Sequence, residues 1–478
     1  MKKAITMLAA MLMVIQITSA QWVEMGGGTH PLNANNIIFS VVTDVSGNVY
    51  AAGEFSDTLT HYYYVAKWVG DSAWVKLGTL NANGYIYSLT TDAAGNVYAA
   101  GAFTDDQYQA SGNLYVAKWD GTTWSKLGAN GVARVPNTAG SAIYSISVDP
   151  SGNVYAAGIF KNANNHYYVS KWNGTAWSEL GGTNALKANY YIHNVVADAA
   201  GNVYAAGAFT DSPNYRYHNG ILLDSTGYKY VAKWNGSTWS ELGTGTNALN
   251  TNSPISALTV DPAGAVYVAY ADSFLNFNVA SWDGTNWVPT GALNASNSIN
   301  ALTTNQAGHL YAAGNFQDVN GSQYVAEWDG TKWFELGTGT NSLNPNSYIL
   351  TIATDTASNV YAAGYFTDGN NTYWVAKYDP NNQGPNGVAD IKSSISDVQI
   401  SPNPAAGSAT LLLSAPAMTT AIVELYDMTG REITTLYNGD ISAGAKTIVL
   451  NTEAISTGVY LIKVSDGKST IQKRFVKI

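Results

Sequence analysis

A tyrosine recurs seven times along this chain, and seven residues beyond each copy stand Asp57, Asp105, Asn162, Asp211, Asp318 and Asp368, with Phe274 at the fifth position. Carboxylates at one level of a closed repeat would form an acidic ring able to hold a cation or a basic partner. Asp and Asn also cap loops by accepting bonds from their own backbone, and capping is the expectation here. A second polar series accompanies the first: "LNAN" at Leu32 and Leu80, "LKAN" at Leu186, "LNTN" at Leu249, "LNAS" at Leu293 and "LNPN" at Leu343. The longest insertion, "TDSPNYRYHNGILLDSTGYK", adds Tyr215, Arg216, Tyr217 and His218. Amides and carboxylates bond hydroxyls while aromatic rings stack on the apolar faces of sugars. Tyr215, Tyr217, His218, Asp211 and Asn250 are therefore the candidate contacts for a glycan or a surface protein, although the same Asn residues could equally be turn formers.

Other chemistries lack their residues. The histidines His30, His61, His166, His193, His218 and His309 are scattered without a repeated metal-ligand spacing. Strings such as "SWDGTNW" invite comparison with the Asp-box turns of sialidases, but the residue that separates Asp from Gly in that turn is missing. A sialidase also needs three arginines for its substrate carboxylate, whereas residues 21 to 394 contain only Arg134 and Arg216. No G-x-S-x-G elbow or phosphate loop occurs. No catalytic residue, metal or cofactor is expected. A net charge of -10 without a basic cluster excludes a nucleic-acid surface.

The elements that must position these residues follow from the repeat. "GNVYAAG" at Gly47, Gly95, Gly152 and Gly201 returns as "GAVYVAY" at Gly264, "GHLYAAG" at Gly308 and "SNVYAAG" at Ser358, and the tyrosines lie 44 to 63 residues apart. That period suits propeller blades. Each unit contains four strand-like segments, in the second copy "YIYSLTTD", "NVYAAGAF", "LYVAKWD" and "TWSKLG", joined first by a D-x-x-G turn and last by a "DG" or "NG" hairpin. With 12% charged residues and abundant Gly and Tyr, the chain is expected to be all-β. The seventh unit lacks its W-x-x-L-G strand, while "QWVEMGG" at Gln21 has no unit before it. Pairing the two would close the ring and leave no open edge. The fold expected is a seven-bladed β-propeller with strand-swapped closure over residues 21–380, and the units resemble the short propeller repeats of secreted bacterial proteins.

Residues 1–20, basic at the start, apolar from Ala4 to Ile17 and small at Thr18 and Ala20, match a secretory signal peptide and are too short to span a bilayer. No transmembrane segment is expected in the mature chain. Cysteine is absent, so packing alone must stabilise it. Residues 381–394 form an Asn-, Gly- and Pro-rich linker; Asp379, Asn381, Gln383, Gly384 and Asp390 have EF-hand-like spacing, but only two are carboxylates.

Residues 395–478 are expected to form a small Ig-like β-sandwich with hairpin turns at Thr429-Gly430 and Asp466-Gly467. Pro402-Asn403-Pro404, the turn from Asp427 to Gly430, Gly458-Val459-Tyr460 and a basic-apolar last strand through Lys473 and Arg474 resemble the type A C-terminal sorting domain of the bacterial type IX secretion system. The resemblance implies the type IX secretion machinery as partner, passage across the outer membrane, removal of this domain, and attachment to surface lipopolysaccharide or release. The protein is then secreted or attached to the outer surface of a Gram-negative bacterium. Its expected role is that of an adhesin or a glycan- or protein-binding propeller; a secreted polysaccharide-acting enzyme with its site in the propeller mouth and an outer-surface scaffold protein are the alternatives.

Overall fold

The computed structural model describes residues 22–26, 30–70, 72–105, 112–132, 141–211, 215–218, 221–225, 227–337, 342–380, 397–403, 405–415, 419–427, 431–442, 444–451, 455–465 and 470–477. The expected leader and linker, Pro404 and Gly430 lie outside them. The chain divides into two compact units, Met1–Gly384 and Pro385–Ile478. Among the described residues no helix is long and apolar enough to cross a membrane.

In the first unit, seven four-stranded antiparallel sheets follow one another as blades. Blade one consists of Ile38–Thr43, Val49–Gly53, Ala66–Val69 and Ala73–Lys76, in that order from the axis outward. Blade seven takes three strands, Ile349–Thr354, Val360–Gly364 and Ala376–Tyr378, from one end of the unit and its fourth, Trp22–Glu24, from the other. The register Trp22↔Tyr378 is that of Trp119↔Trp124 and Trp172↔Trp177 within the continuous blades. The displaced strand therefore occupies its repeat position.

Side-chain hydroxyls link the innermost strands of blades two, one, seven and six in turn. Thr91 Oγ1 donates to the Thr43 carbonyl (2.9 Å), Thr43 Oγ1 to that of Thr354 (2.7 Å), and Thr354 Oγ1 to that of Thr304 (2.9 Å). The second strands that read V-Y-A-A-G, in five blades, are buried at every residue, because both faces of each sheet pack on neighbouring blades. Their closing glycine marks a bulge: a Cβ on Gly53 would lie 2.1 Å from the Ile37 carbonyl oxygen. Further out, fully buried phenylalanines such as Phe55, Phe103 and Phe160 meet Tyr64, Tyr115 and Tyr168 edge-on at 4.8 to 5.0 Å.

The outer strands are stapled to the preceding blade. Trp124 Nε1 donates to the Leu77 carbonyl at 2.6 Å, Trp177 to that of Leu127 at 2.8 Å, and Trp287 to that of Leu242 at 2.7 Å. The glycine after each such leucine lies beneath an indole of the next blade. A Cβ on Gly78 would stand 2.3 Å from Trp119 Cζ3, so the conformation (φ 55°) and the close approach both require glycine.

The second unit is a β-sandwich. One sheet contains Asp397–Ser401, Ser408–Ala415 and Gly444–Asn451; the other orders Glu432–Ile441, Thr419–Asp427, Gly458–Ser465 and Thr470–Lys477 side by side. Leu411, Leu413, Val423, Leu425, Ile462 and Phe475 are buried between them. The first strand's exit is tied to the last strand: Asn403 Oδ1 accepts from Val476 N (2.8 Å), and Ala405 N donates to Val476 O (2.9 Å). Asp427 accepts from Arg431 N and Nε, both at 3.1 Å, and Tyr460 donates to the Ser456 carbonyl at 2.7 Å. Gly458 pairs with Lys477, and Lys473, exposed, with Ile462. These contacts account for several of the residues that carry the sorting-domain resemblance.

Candidate functional site

A meander places the connections between strands one and two, and between strands three and four, at one end of every blade. The connections between strands two and three, and from strand four to the next blade, lie at the other. The acidic series belongs to the second end and caps its loops. Asp57 Oδ1 accepts from the amides of Leu59 (3.0 Å) and Thr60 (2.9 Å), Asp318 from Asn320 and Ser322, and Asp368 from Asn370 and Thr372. The Thr60 and Leu59 amides hold the Asp57 carboxyl at about 2. In the fifth copy the cap is Asp272, which accepts from Phe274 N and Asn276 N at 2.9 Å each. Phe274 is instead the exposed tip of a shorter hairpin, because strands Val266–Ala271 and Phe277–Trp282 pair without interruption as far as Ala271↔Phe277. Equal spacing from the tyrosine misses this difference in loop length.

What each cap faces on the outer strand differs between blades. Asp57 meets Lys76 at 3.4 Å, Asp105 pairs with Lys126, and Asn162 donates to Glu179 at 3.0 and 3.1 Å. The same outer-strand position carries Glu241 in blade four, Glu335 in blade six and Glu24 in blade seven. Burial, and then the charges of Asp211, Asp318 and Asp368 respectively, raise these three glutamates above the usual carboxylate range. Aromatic-walled grooves open beside them. In blade four a cavity of about 430 Å³ is lined by Lys187, Asp211, Tyr230, Trp239 and Glu241. Its counterpart in blade six is about 600 Å³, with Asn294, Asp318, Tyr324, Trp333 and Glu335. Among the described residues, no three His, Cys, Asp or Glu side chains gather as a metal site.

Two sets of asparagines build this rim. Asn33, Asn81, Asn250, Asn294 and Asn344 take positive φ of 44° to 53°, the left-handed conformation that Asn tolerates in turns. Others clip adjacent loops together: Asn35 Nδ2 donates to Ser56 O (3.1 Å) while its Oδ1 accepts from Ser56 N (3.0 Å), and Asn346 and Thr367 bond in the same sense. Asp211 Oδ1 accepts from Tyr228 N at 3.0 Å. Tyr215–His218 pairs with Ile221–Ser225 as a hairpin inserted between strands two and three of blade four. This puts Tyr215, Tyr217 and His218 on the same end of the propeller as Asp211 and Asn250; their side chains lie outside the described set.

The opposite mouth holds a side-chain network built on the D-x-x-G turns. Asp44 Oδ1 accepts from Ser46 N and Asn48 N, and its Oδ2 from Asn48 Nδ2 (2.7 Å) and the Tyr50 hydroxyl (3.0 Å). Asp92, Asp149, Asp198 and Asp355 repeat the set. Lys67 Nζ lies 5.5 Å from the Tyr50 ring centre, and Lys118, Lys171 and Lys233 cover their tyrosines alike. The signal was present as D-x-x-x-N-x-Y, with the lysine on the facing strand.

Residues 399–478 match the secretion system C-terminal sorting domain. No curated protein matches the chain. Among solved structures, PorZ, an essential bacterial surface component of the type-IX secretion system of Porphyromonas gingivalis, is similar at 16% identity and a TM-score of 0.49, over 93% of this chain and 59% of that one. The chain thus spans little more than half the length of that protein. Virginiamycin B lyase from Staphylococcus aureus is similar at 10% identity and a TM-score of 0.44, over 76% of this chain and 99% of the other. A protein of unknown function from Dyadobacter fermentans is similar at 13% identity and a TM-score of 0.40, over the same 76% and 99%.

Proposed function

We propose that this chain is a surface-displayed binding protein, in which a type IX C-terminal sorting domain delivers a seven-bladed propeller to the outer surface of a Gram-negative bacterium. The sorting domain makes the chain an exported one. Residues 1–20 act as its signal peptide, and the propeller's variable mouth engages a glycan or a surface protein.

The observation that carries this reading is the contrast between the two ends of the propeller. At one end the same Asp bond set recurs from blade to blade. At the other, connections on the same scaffold differ in length and chemistry, with the blade-four hairpin and exposed apolar tips at Leu59, Phe274 and Val319. Variable loops on a repeated scaffold are where recognition is built. Tyr215, Tyr217 and His218 on the hairpin, with Asp211 and Asn250 beside it, are the proposed contacts. The test is a glycan array and a surface-protein capture with the mature chain and with a variant whose residues 212–227 are replaced by a short Gly-Ser turn. Binding by the parent and its loss in the variant is expected; equal binding by both overturns this assignment.

One observation favours a second reading, a polysaccharide-acting enzyme. Burial and Asp318 raise Glu335, while Asp318 is itself lowered, since the Ser322 and Asn320 amides outweigh its burial. Carboxylates pushed apart in this way can act as acid and base at a glycosidic bond. Release of reducing ends from polysaccharide by the parent but not by Glu335→Gln would establish it.

A further inference from the structure

The seven blades are internal controls for one another, and two departures from the repeat meet at one seam. The first lies in blade six, where Asn305 stands in the place of the turn Asp, His309 in that of the turn Asn, and Glu327 in that of the strand-three Lys. His309 Nδ1 lies 2.6 Å from Glu327 Oε1, and the Tyr311 hydroxyl, which serves a turn Asp in other blades, donates to the same oxygen at 3.4 Å. Glu327 is nearly buried, and its Oε2 accepts no bond among the described residues.

The second departure lies in blade seven. At the repeat position of the indole that covers the preceding blade's glycine, as Trp119 covers Gly78 and Trp328 covers Gly291, blade seven has Tyr378, which lines one cavity with Gly337. A phenol is smaller than an indole. A cavity of about 450 Å³ stands at this seam, lined by His309, Tyr311, Glu327, Gly337 and Tyr378, with Phe334 at its edge.

We propose that this seam binds a small organic cation, its ammonium group held by Glu327 against the phenol rings of Tyr311 and Tyr378. The protein supplies the precedent. In blades one to four an ammonium of its own, from Lys67, Lys118, Lys171 or Lys233, lies 5.4 to 5.7 Å from the ring centre of the tyrosine equivalent to Tyr311, within the range of cation–π attraction. Blade six has a carboxylate where those blades carry the ammonium, and a cavity large enough for a ligand beside it. This site lies at the end opposite the variable loops and does not depend on what they bind.

The experiment is calorimetric titration of the full mature chain with choline and with its neutral isostere 3,3-dimethylbutanol. Choline is expected to bind about tenfold tighter or more, the scale of a desolvated cation–π contact. Glu327→Lys, which restores the repeat's own ammonium, and Tyr378→Trp, which restores its indole, should each abolish choline binding. Thermal melts establish that each variant is folded, and two substitutions guard against the failure of one. Equal affinity for choline and the alcohol, no binding of choline at millimolar concentration, or unchanged binding in a folded Tyr378→Trp variant would each overturn the proposal. Replacing the blade-four hairpin should leave choline binding intact, so failure of this site and failure of the rim reading are separable.

Discussion

Trp22 donates its indole N–H to the Leu336 carbonyl at 2.7 Å, across a sequence separation of 314 residues. The bond is the one that Trp124 makes to Leu77 and Trp177 to Leu127 within the continuous part of the ring. Trp74 completes the circle by donating to the Met25 carbonyl at 3.1 Å.

Trp22→Ala should therefore destabilise the whole propeller, because its side chain is buried between blades six and seven. Truncation of a buried aromatic side chain costs about 3–5 kcal/mol. Trp22→Phe keeps most of the packing and loses the hydrogen bond, for which about 1 kcal/mol is expected. Thermal melts order the two variants, and an unchanged midpoint for Trp22→Ala would mean that the ring closes otherwise.

A chain ending at Ser394 should reach the periplasm and stop there, since the sorting domain at residues 399–478 is gone while residues 1–20 remain. Surface proteolysis of cells carrying the full and truncated forms checks this. Equal exposure at the surface contradicts it.

Asp92→Ala removes an acceptor shared by two amides, the Asn96 side chain and the Tyr98 hydroxyl. Hydrogen bonds to a charged acceptor are worth about 1.5–3 kcal/mol each, so a loss of about 3 kcal/mol or more is expected. Burial raises the Asp92 and Asp149 carboxyls, but their hydrogen bonds outweigh it and hold both below the ordinary value. Their stabilisation is present above the unfolded carboxyl range near about 4 and is lost as pH falls through the lower folded values. Melts of the parent below that range should show the loss, and Asp92→Ala should show less of it.

Glu335→Gln should act in the opposite sense. A carboxyl raised in the folded state favours folding while protonated, and that contribution is lost as pH rises through the folded value. The variant should melt higher than the parent at pH 7 and no higher at pH 4. A lower melting point at pH 7 would show that the bond from Ser342 to Glu335, 2.9 Å, outweighs burial and the repulsion from Asp318 together.

Replacing Tyr215 and Tyr217 by Ala should weaken binding of a rim ligand without moving the melting point, since their hairpin is an insertion beside blade four and forms a separate two-stranded sheet. A binding isotherm paired with a melt tests both halves of the expectation.

The ring was legible because its signature is short and local: D-x-x-G followed by a buried V-Y-A-A-G fixes two strands and the turn between them. The orphan strand was legible by subtraction, as one W-x-x-L-G too many at the start and one too few at the end. The pairing of outer-strand charges was not. Lys76 lies 19 residues from Asp57, whereas Glu24 and its neighbour Asp368 stand at opposite ends of the propeller sequence, so no spacing rule reveals that the partner has changed sign. Nor could a run of asparagines announce whether its amides face solvent; Asn33 adopts φ 48° and Asn35 turns its amide to Ser56, and both depend on loop geometry.

The three-residue strand Trp22–Glu24 has a mechanical consequence. Its partner Ala376–Tyr378 is the last strand before the chain leaves the propeller toward the sorting domain, so a tether on that side pulls on this strand first. Were it the outermost strand of its sheet, it could peel away from Val360–Gly364 alone. Flanked on both sides, it has to break two ladders together, and the N-terminal segment serves as a clasp against a pull from that side.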